Sequence, residues 1–500
     1  MGVPTRYRQA MEPDILFVLC DTARADAFEP WGGRVPTPNV DALAGTGTTY
    51  ERAVAQAPWT LPSTASMFTG ELPTEHGVSA ETLAVSERAG DAAAPGELAA
   101  VDSGAPTAPQ ASPAVRSLSP LIEQRKGTWL PRDLVERGYE TWGVSCNPWI
   151  SRWNGFATGF QAFTDVRPRA VPPRGRAQLA AWRLRQAYSG RDHGGREAIQ
   201  GLMAWLGDNR RRPWFAFMNL MGLHDPYDPP RRLHPLVGGD GRGARWRRLP
   251  SWVDRQVRQR TFRGRPDELY LRVIRDLYGA AAMYTDRLLG QVMGRVAEWN
   301  RPVAVVLVSD HGEMLGEHGL FEHHSSLHEP LLHVPLAVSG HRLDLAGGAV
   351  GGPIAVSGLA RWAIGLAEGR VEPLGPDGPV ASEYESTVRR PGGIAIRPDL
   401  VRAQARGSLP PLARSPGLAV RDGDLKFVAV EGEPDQLYDL AIDPREERDL
   451  ASGADPRVEA FLPHRAAWDN RRARISSHAD RGPVVEDEIA DHLRSLGYLE

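Results

Sequence analysis

Three short clusters of polar residues have the types and spacing that catalysis or metal binding requires. Asp310 and His311 directly follow the most continuous β-branched run of the chain, residues 303–309. Adjacent aspartate and histidine side chains at a strand end can face one pocket and bind a divalent ion through oxygen and imidazole nitrogen. Asp21 directly follows another apolar run, residues 15–20. A carboxylate in that place can face a ligand pocket, or it can simply cap the next helix.

Thr60 belongs to the second cluster and lies just before a helix predicted over residues 61–69. Pro62 falls in the first turn of that helix, where proline is tolerated. Free backbone N–H groups and the helix dipole favour an anion at such a position, so the Thr60 hydroxyl could face an anionic group. A threonine there is also a common N-cap, and that alternative stays open.

Histidines are concentrated after the Asp-His pair, as His318, His323 and His324. Such a density favours a functional grouping over an incidental one, because imidazoles transfer protons and bind metals near neutral pH. His224 stands apart, in a proline-rich turn between the second and third clusters. A lone histidine in a turn of that kind is usually structural.

Strand signals alternate with amphipathic helix signals along the part of the chain that must position these residues. This alternation predicts an α/β fold with a doubly wound, mostly parallel sheet flanked by helices. Strands are predicted over residues 15–20, 141–146, 214–218 and 303–309, and helices over residues 39–45, 61–69 and 130–137. Ligands of open parallel sheets collect outside the carboxyl ends of the strands, and the clusters fall at strand ends or helix starts.

Two segments interrupt the alternation. Residues 80–119 are rich in Ala, Pro, Ser and Gly, which predicts a mobile loop or an insertion. Residues 231–265 are crowded with Arg and Trp. A charge run of this kind is more often a solvated face, and a lid over the active site is the alternative.

The sequence changes character after about residue 376. Residues 418–420 and 425–430 predict a hairpin with an Asp-Gly turn. Residues 437–440 add a strand, and residues 490–496 predict a terminal amphipathic helix. We therefore predict a catalytic α/β domain over residues 1–375 and a smaller α+β C-terminal subdomain over residues 376–500.

The bulk properties exclude several classes of protein. The chain of 500 residues has 59 Lys+Arg and 62 Asp+Glu, a net charge of -3, so no global field indicates nucleic acid or membrane. The two cysteines, Cys20 and Cys146, make no disulfide framework and are predicted to be buried. The first apolar run is too short for a signal peptide, and no run is long enough to span a membrane. We therefore expect a cytoplasmic protein.

The order of the motifs is more specific than any single one, and it resembles the sulfatase family of the alkaline phosphatase superfamily. The resembling segments are Asp14-Ile15-Leu16 to Asp26, Thr37-Pro38-Asn39-Val40 to Ala44, Pro62-Ser63 to Gly70, Ser309-Asp310-His311-Gly312-Glu313, Gly316-Glu317-His318-Gly319, His333-Val334-Pro335-Leu336, and Leu437-Tyr438-Asp439-Leu440 to Leu450. The resemblance spans nearly the whole chain apart from the two interrupting segments.

This resemblance implies an alkaline-phosphatase-like fold and a single divalent cation, with a second metal ion left open. The implied metal ligands are Asp21, Asp310 and His311, with Thr60 as nucleophile and further ligand. Mn²⁺, Zn²⁺, Mg²⁺ and Ca²⁺ all suit this ligand set. The resemblance also places His224 and His323 where the family contacts the transferred group or protonates the leaving group. Arg24 and Asp26 match a recurrent stretch that we interpret as structural or supporting.

The sequence departs from true sulfatases at several positions. Those enzymes carry a Cys or Ser, converted to formylglycine, within Cys/Ser-x-Pro-x-Arg, whereas Thr60 and Thr64 stand at the first and last of these positions. Threonine cannot be oxidised to that aldehyde, so aldehyde-hydrate chemistry is excluded. Thr22 replaces a second acidic ligand, and Asn147 and His323 lie in the regions of two active-site lysines. Relatives with a Thr nucleophile include phosphodiesterases, phosphonate hydrolases and phospho-group transferases.

The leading expectation is a hydrolase of phosphate or phosphonate mono- or diesters with a Thr60 alkoxide nucleophile. Sulfate-ester hydrolysis without formylglycine is the close alternative, and a soluble phospho-group transferase is another. A binding protein that has lost catalysis fits less well, because the set Asp21, Thr60, Asp310 and His311 is intact. The expected partner is a small-molecule phosphate, phosphonate or sulfate ester, with no nucleic acid or membrane and with a homo-oligomer left open.

Overall fold

The fold is built on two main sheets and two short antiparallel strand pairs, β3 with β4 and β9 with β10. Elements are numbered in chain order. The computed structural model describes residues 12–78, 85–86, 114–115, 117–166, 192–207, 212–230, 233, 268–323, 326–376, 378–385 and 415–474. The strands are β1 (Asp14–Cys20), β2 (Gly47–Val54), β3 (Val85–Ser86), β4 (Ala114–Val115), β5 (Glu140–Ser145), β6 (Ala162–Asp165), β7 (Trp214–Leu220), β8 (Val303–Val308), β9 (Met314–Leu315), β10 (Phe321–Glu322), β11 (His333–Val334), β12 (Leu336–His341), β13 (Gly348–Ala355), β14 (Val380–Tyr384), β15 (Gly417–Asp422), β16 (Leu425–Val430) and β17 (Gln436–Asp439). The α-helices are α1 (Pro38–Gly45), α2 (Thr60–Thr69), α3 (Pro73–His76), α4 (Ser119–Glu123), α5 (Leu130–Glu136), α6 (Gly195–Gly207), α7 (Glu268–Ala297), α8 (Glu329–Leu332), α9 (Gly358–Ala367) and α10 (Leu462–Arg472).

The larger sheet has nine strands in the order β11-β2-β12-β8-β1-β7-β5-β6, with β13 paired to β2. The five strands from β8 to β6 are all parallel, and β12 runs antiparallel to both β8 and β2. Every residue of β1, β7 and β8 is buried. Parallel strands that are covered on both faces read as continuous apolar runs, which explains the strength of these strand signals. The α/β, mostly parallel prediction is confirmed.

The predicted elements of the first domain agree with the structure to within about two residues at each end. The strand signal at residues 214–218 continues to Leu220, and the helix signal at 61–69 begins one residue earlier, at Thr60. Both predicted cysteines are free and buried. The carboxyl ends of β8, β1, β7 and β5 lie side by side, because these strands are parallel neighbours.

The smaller sheet is antiparallel, with β14, β15, β16 and β17 in sequence order. It confirms the predicted smaller C-terminal sheet. The hairpin differs in one detail, since Asp422 pairs with Leu425 and the central turn residues are Gly423 and Asp424 rather than Asp-Gly. Gly423 has φ of +57°, a left-handed conformation that glycine adopts without steric cost. The boundary between residues 375 and 376 stays a prediction.

The interrupting segments lie largely outside the described residues. Of residues 80–119, the structure describes β3 and β4, which pair with each other, and residues 117–119. Of residues 231–265 it describes Leu233 alone, and the predicted helix at 490–496 is also outside the described residues. Among the helices that are described, none has both the length and the apolar character needed to cross a membrane.

Candidate active site

Asp21 follows β1 at the carboxyl edge of the larger sheet and is completely buried. Its backbone N–H donates to the Leu220 carbonyl over 2.9 Å, which fixes it beside the end of β7. Its Oδ2 accepts hydrogen bonds from Asn147 Nδ2 at 2.8 Å and from Asn219 Nδ2 at 2.9 Å. The other oxygen, Oδ1, is buried with no hydrogen-bond partner among the described residues.

Asp310 and His311 follow β8, the strand next to β1, and both are completely buried. Asp310 Oδ1 accepts the backbone N–H groups of His311 at 3.0 Å and Thr22 at 3.3 Å. Its Oδ2 has no hydrogen-bond partner among the described residues and lies 3.5 Å from His311 Nε2. His311 Nδ1 lies 2.8 Å from the Gly312 carbonyl, which assigns the ring proton to Nδ1 and leaves the Nε2 lone pair towards the site.

Thr60 is the first residue of α2, and Trp59 is the N-cap, so the alternative that Thr60 caps the helix is wrong. The Thr60 hydroxyl oxygen lies 3.1 Å from His311 Nε2. It also accepts a hydrogen bond from Asn147 Nδ2 at 3.2 Å. The side chain is completely buried. The Thr60 hydroxyl therefore lies at the N-terminus of α2, beside His311 in the segment that follows β8.

The three candidate ligands fit a metal ion by their contacts and their protonation. One ligand atom from each of Asp21, Asp310 and His311 lies within 4.8 Å of the other two. Burial raises the pKa of Asp21 to about 7, and the neighbouring Asp310 carboxylate adds to this effect. Burial likewise raises the pKa of Asp310 to about 7. Two buried carboxylates that each leave one oxygen unpartnered are groups that a bound cation would satisfy.

His224 and His323 both lie beside this cluster. The His323 ring centroid is 4.6 Å from that of His311 and 5.0 Å from that of His224. His323 Nδ1 lies 3.0 Å from Glu313 Oε1, and His224 Nδ1 lies 2.5 Å from the Asp225 carbonyl. The structure thus brings His224 into the site, although a lone histidine in a proline-rich turn is usually structural.

Three residues contribute to the site beyond those that the sequence predicts. The family resemblance places Asn147 only near the position of a lysine, and it gives no role to Asn219 or Glu313. Asn147 lies just after β5 and Asn219 is the next-to-last residue of β7, so the rule that sites form at strand ends predicts both positions. Glu313 is completely buried, and its contact orients the His323 ring.

Arg24 joins the loop after β1 to the loop after His311. Its guanidinium pairs with Asp26 at 2.7 Å and Glu317 at 2.9 Å, and it donates to the Glu313 carbonyl at 3.2 Å. Ser63 of α2 also donates to the Asp310 carbonyl, over 2.5 Å. The supporting interpretation of Arg24 and Asp26 therefore agrees with their contacts.

Comparison of the sequence with known protein families identifies the family of this chain. A sequence model described as Sulfatase matches residues 13–343. The chain belongs to the sulfatase family. This family membership confirms the resemblance that the ordered motifs indicated, and it supports an ester hydrolase.

Individual members and structural relatives of the sulfatase family agree with the assignment. A choline-sulfatase of Rhizobium meliloti (strain 1021) is 29% identical over 285 residues, a match that spans 52% of this chain and 52% of that protein. The chain thus spans about half the length of this curated relative. A phosphonate monoester hydrolase of Agrobacterium radiobacter superposes with a TM-score of 0.62 at 20% identity, covering 93% of this chain and 96% of that one. BT1596, a 2-O GAG sulfatase, superposes with a TM-score of 0.60 at 17% identity, covering 93% and 92%. At these identities, the superpositions show the fold alone.

Proposed function

We propose that this sulfatase-family protein is a metal-dependent hydrolase that cleaves phosphate or phosphonate mono- or diesters with Thr60 as nucleophile. The observation that supports this most directly is the buried Thr60 hydroxyl, 3.1 Å from His311 Nε2 at the N-terminus of α2. A hydroxyl in this place adjoins the three candidate ligands and the free N–H groups of the first helical turn.

In this proposal Asp21, Asp310, His311 and the Thr60 oxygen would hold one divalent cation. When bound, such a cation would lower the pKa of the Thr60 hydroxyl and neutralise charge on the transferred group. Asp21 and Asp310 would hold it as carboxylates, because a carboxyl group ionises more readily beside a cation. Mn²⁺, Zn²⁺, Mg²⁺ and Ca²⁺ remain candidates for this site.

The side chains then have separate tasks. Asn147 contacts both Asp21 and Thr60, so it orients the Thr60 oxygen relative to the Asp21 carboxylate. Thr60 Oγ1 gives its proton to solvent water and forms a bond to phosphorus, while the bond from phosphorus to the ester oxygen breaks. His323 or His224 donates a proton to that leaving oxygen. Water then attacks phosphorus and gives a proton to the histidine that protonated the leaving oxygen, while the bond from phosphorus to Thr60 Oγ1 breaks and frees the threonine.

The choice of phosphorus over sulfur rests on Thr60 itself. A threonine cannot become formylglycine, so an enzyme that uses it must attack as an alkoxide. The similarity to a choline-sulfatase favours sulfate-ester hydrolysis as the second candidate. A soluble phospho-group transferase would use the same residues, with an alcohol in place of water in the second step.

A panel of aryl esters tests the proposal. Purified full-length protein is assayed with p-nitrophenyl phosphate, bis(p-nitrophenyl) phosphate, an aryl phosphonate monoester and p-nitrophenyl sulfate, each with the four cations in turn. We expect metal-dependent turnover of a phosphorus ester that Thr60→Ala abolishes and Thr60→Ser partly retains. Preferred turnover of the sulfate ester would support the second candidate, and full activity of Thr60→Ala would contradict the nucleophile.

A further inference from the structure

A second group of ligand-type side chains lies away from the candidate active site. One atom from each of His318, His328 and Glu446 lies within 4.8 Å of the other two. His318 is in the single turn Glu317–Gly319, and His328 is the residue before α8. Glu446 belongs to the loop that follows β17 in the C-terminal region. Two turns ten residues apart and a third segment from the C-terminal region therefore meet at this point.

We propose that His318, His328 and Glu446 form a second divalent-cation site that joins the loop carrying His323 to the C-terminal sheet. Two imidazole nitrogens and one carboxylate oxygen form a ligand set that suits Zn²⁺, with water completing the coordination. This proposal is independent of the reaction proposed above, because none of the three residues takes part in it.

The contacts of the cluster hold its members close to one another. The His318 and His328 rings stack with centroids 3.9 Å apart and an interplanar angle of 10°. His328 Nδ1 lies 3.3 Å from Glu446 Oε2. That oxygen accepts the backbone N–H of Glu329 at 2.7 Å, and Oε1 pairs with Lys426 Nζ at 2.7 Å. Supporting contacts of this kind orient a carboxylate ligand towards a metal.

The protonation states suit a cation. Burial raises the pKa of Glu446, but the Lys426 ammonium and His328 lower it more, so the net pKa lies well below the usual range. Burial and the neighbouring His328 lower the pKa of His318. At neutral pH the site thus offers a carboxylate and, at His318, an uncharged imidazole, the forms that bind metal ions.

The surroundings allow a cation to enter. The positive charges of Lys426 and Arg421 already balance the negative charges of Glu329 and Glu446. The positive charge of an added metal ion must therefore be balanced by anions from the solvent. His318 is exposed, and it lines a polar cavity of about 1070 Å³. Water and counter-ions in that cavity can complete the coordination and the charge balance.

The backbone gives an independent reason to expect a role for these side chains. His318 has φ of +51° and Glu446 has φ of +56°, both in the left-handed region. Glycine and asparagine fit such positions with little strain and histidine is also enriched there, so the conformational cost falls mainly on Glu446. Strain of this kind is typical of ligand sites.

Zinc titration of the full-length, metal-stripped protein tests the site. We expect His318→Asn to bind one equivalent of Zn²⁺ fewer than the wild type, because asparagine keeps the left-handed turn but lacks the imidazole. The matched control, His464→Asn, changes a histidine of α10 and should bind as the wild type does. The comparison holds whether or not the candidate active site itself binds zinc, so failure here and failure of the proposed function are distinguishable.

A second variant and a second signal protect the test against a folding defect. His328→Gln keeps a side-chain donor near Glu446, and it should also lose one equivalent. Replacement of zinc by Co²⁺ should give visible absorption from this site that both variants lose. An unchanged number of bound zinc ions in His318→Asn and His328→Gln would overturn the proposal.

Discussion

The buried side chains of the candidate active site differ chiefly in which of their polar atoms have hydrogen-bond partners. Asp21 and Asp310 each have one oxygen held by hydrogen bonds and one without a partner among the described residues. Asn147 and Asn219 both donate to Asp21 Oδ2, but Asn147 alone of these two also contacts the Thr60 hydroxyl. Asn219 therefore supports only the proposed ligand Asp21, whereas Asn147 also supports the proposed nucleophile Thr60.

We therefore predict different effects for two matched asparagine variants. Asn147→Ala should lower kcat about tenfold more than Asn219→Ala, since one additional hydrogen bond to the reacting oxygen is worth roughly 1.4 kcal/mol. The two variants should weaken metal binding to a similar extent, because each loses one bond to Asp21. Steady-state kinetics and metal titration measure the two effects separately. Equal kcat values would show that the Asn147–Thr60 contact has no part in turnover.

The titration of Asp21 and Asp310 predicts how the stability of the metal-free protein depends on pH. Burial raises both pKa values to about 7, above those of the unfolded chain. The folded state therefore binds more protons between about pH 4 and pH 7, and its stability falls as pH rises through that window. Addition of a divalent cation should raise Tm more at pH 8 than at pH 5.5.

Thermal melts of wild type and Asp310→Asn, with and without cation, measure this dependence. The variant cannot ionise at position 310, so its metal-free Tm should fall less with pH. A cation-induced rise in Tm that is the same at both pH values would contradict the assignment of these carboxylates as ligands.

At the scale of elements, β1 lies between β7 and β8, and its first residue, Asp14, contacts the segments on both sides. Asp14 is completely buried and pairs with Arg301 at 3.1 Å. It also accepts hydrogen bonds from Trp299 Nε1 at 2.8 Å and from the Trp214 backbone N–H at 3.1 Å. These contacts tie together the segments that begin β1, β7 and β8.

Loss of this carboxylate should destabilise the whole larger sheet. We predict that Asp14→Ala lowers the free energy of unfolding by about 3 kcal/mol, because it removes the buried carboxylate that pairs with Arg301 and accepts from the Trp299 indole. Asp41→Ala, which changes an exposed aspartate of α1, should change stability by less than about 0.5 kcal/mol. Urea unfolding measures both values, and an Asp14→Ala protein as stable as this control would disprove the prediction.

The sequence could predict elements but not most of the contacts between them. The sequence predicts β1 and β8 because buried parallel strands are continuously apolar. It predicts that Thr60 lies at a helix N-terminus because Pro62 marks the first turn of α2. The sequence does not predict the hydrogen-bond partners of Asp21. Asn147 and Asn219 lie close to Asp21 only because β5 and β7 take their particular places beside β1 in the sheet. The meeting of His318 with Glu446 depends in the same way on how the C-terminal region packs.

At the scale of the whole molecule, an apolar cluster crosses from the first predicted domain to the second. Val54, Met314 and Leu331 belong to one buried cluster with Val430 and Tyr438. Burial of apolar surface stabilises a protein by roughly 25 cal/mol per Å². The contacts between the two sheets in this cluster therefore add to the free energy of unfolding of the whole chain. The loop that carries His323 therefore packs against the C-terminal sheet as well as against the active site.

This shared cluster predicts that residues 1–375 are not stable alone. The truncated chain should be insoluble or melt well below the full-length protein, since it exposes a contiguous apolar surface. Soluble yield and circular dichroism of the two chains provide the measurement. A truncated chain with the Tm of the full-length protein would show that the predicted subdomain at 376–500 is not needed for folding.

The central claim, that Thr60 is the nucleophile of a metal-dependent ester hydrolase, is tested most directly by trapping its covalent intermediate. The enzyme is mixed with its best phosphorus ester and cation, quenched in acid during turnover, digested, and analysed by mass spectrometry. The account predicts a phosphoryl or phosphonyl group on the Thr60 hydroxyl, absent from Thr60→Ala and from samples without cation. Steady turnover with an unmodified Thr60, together with an active Thr60→Ala variant, would contradict it.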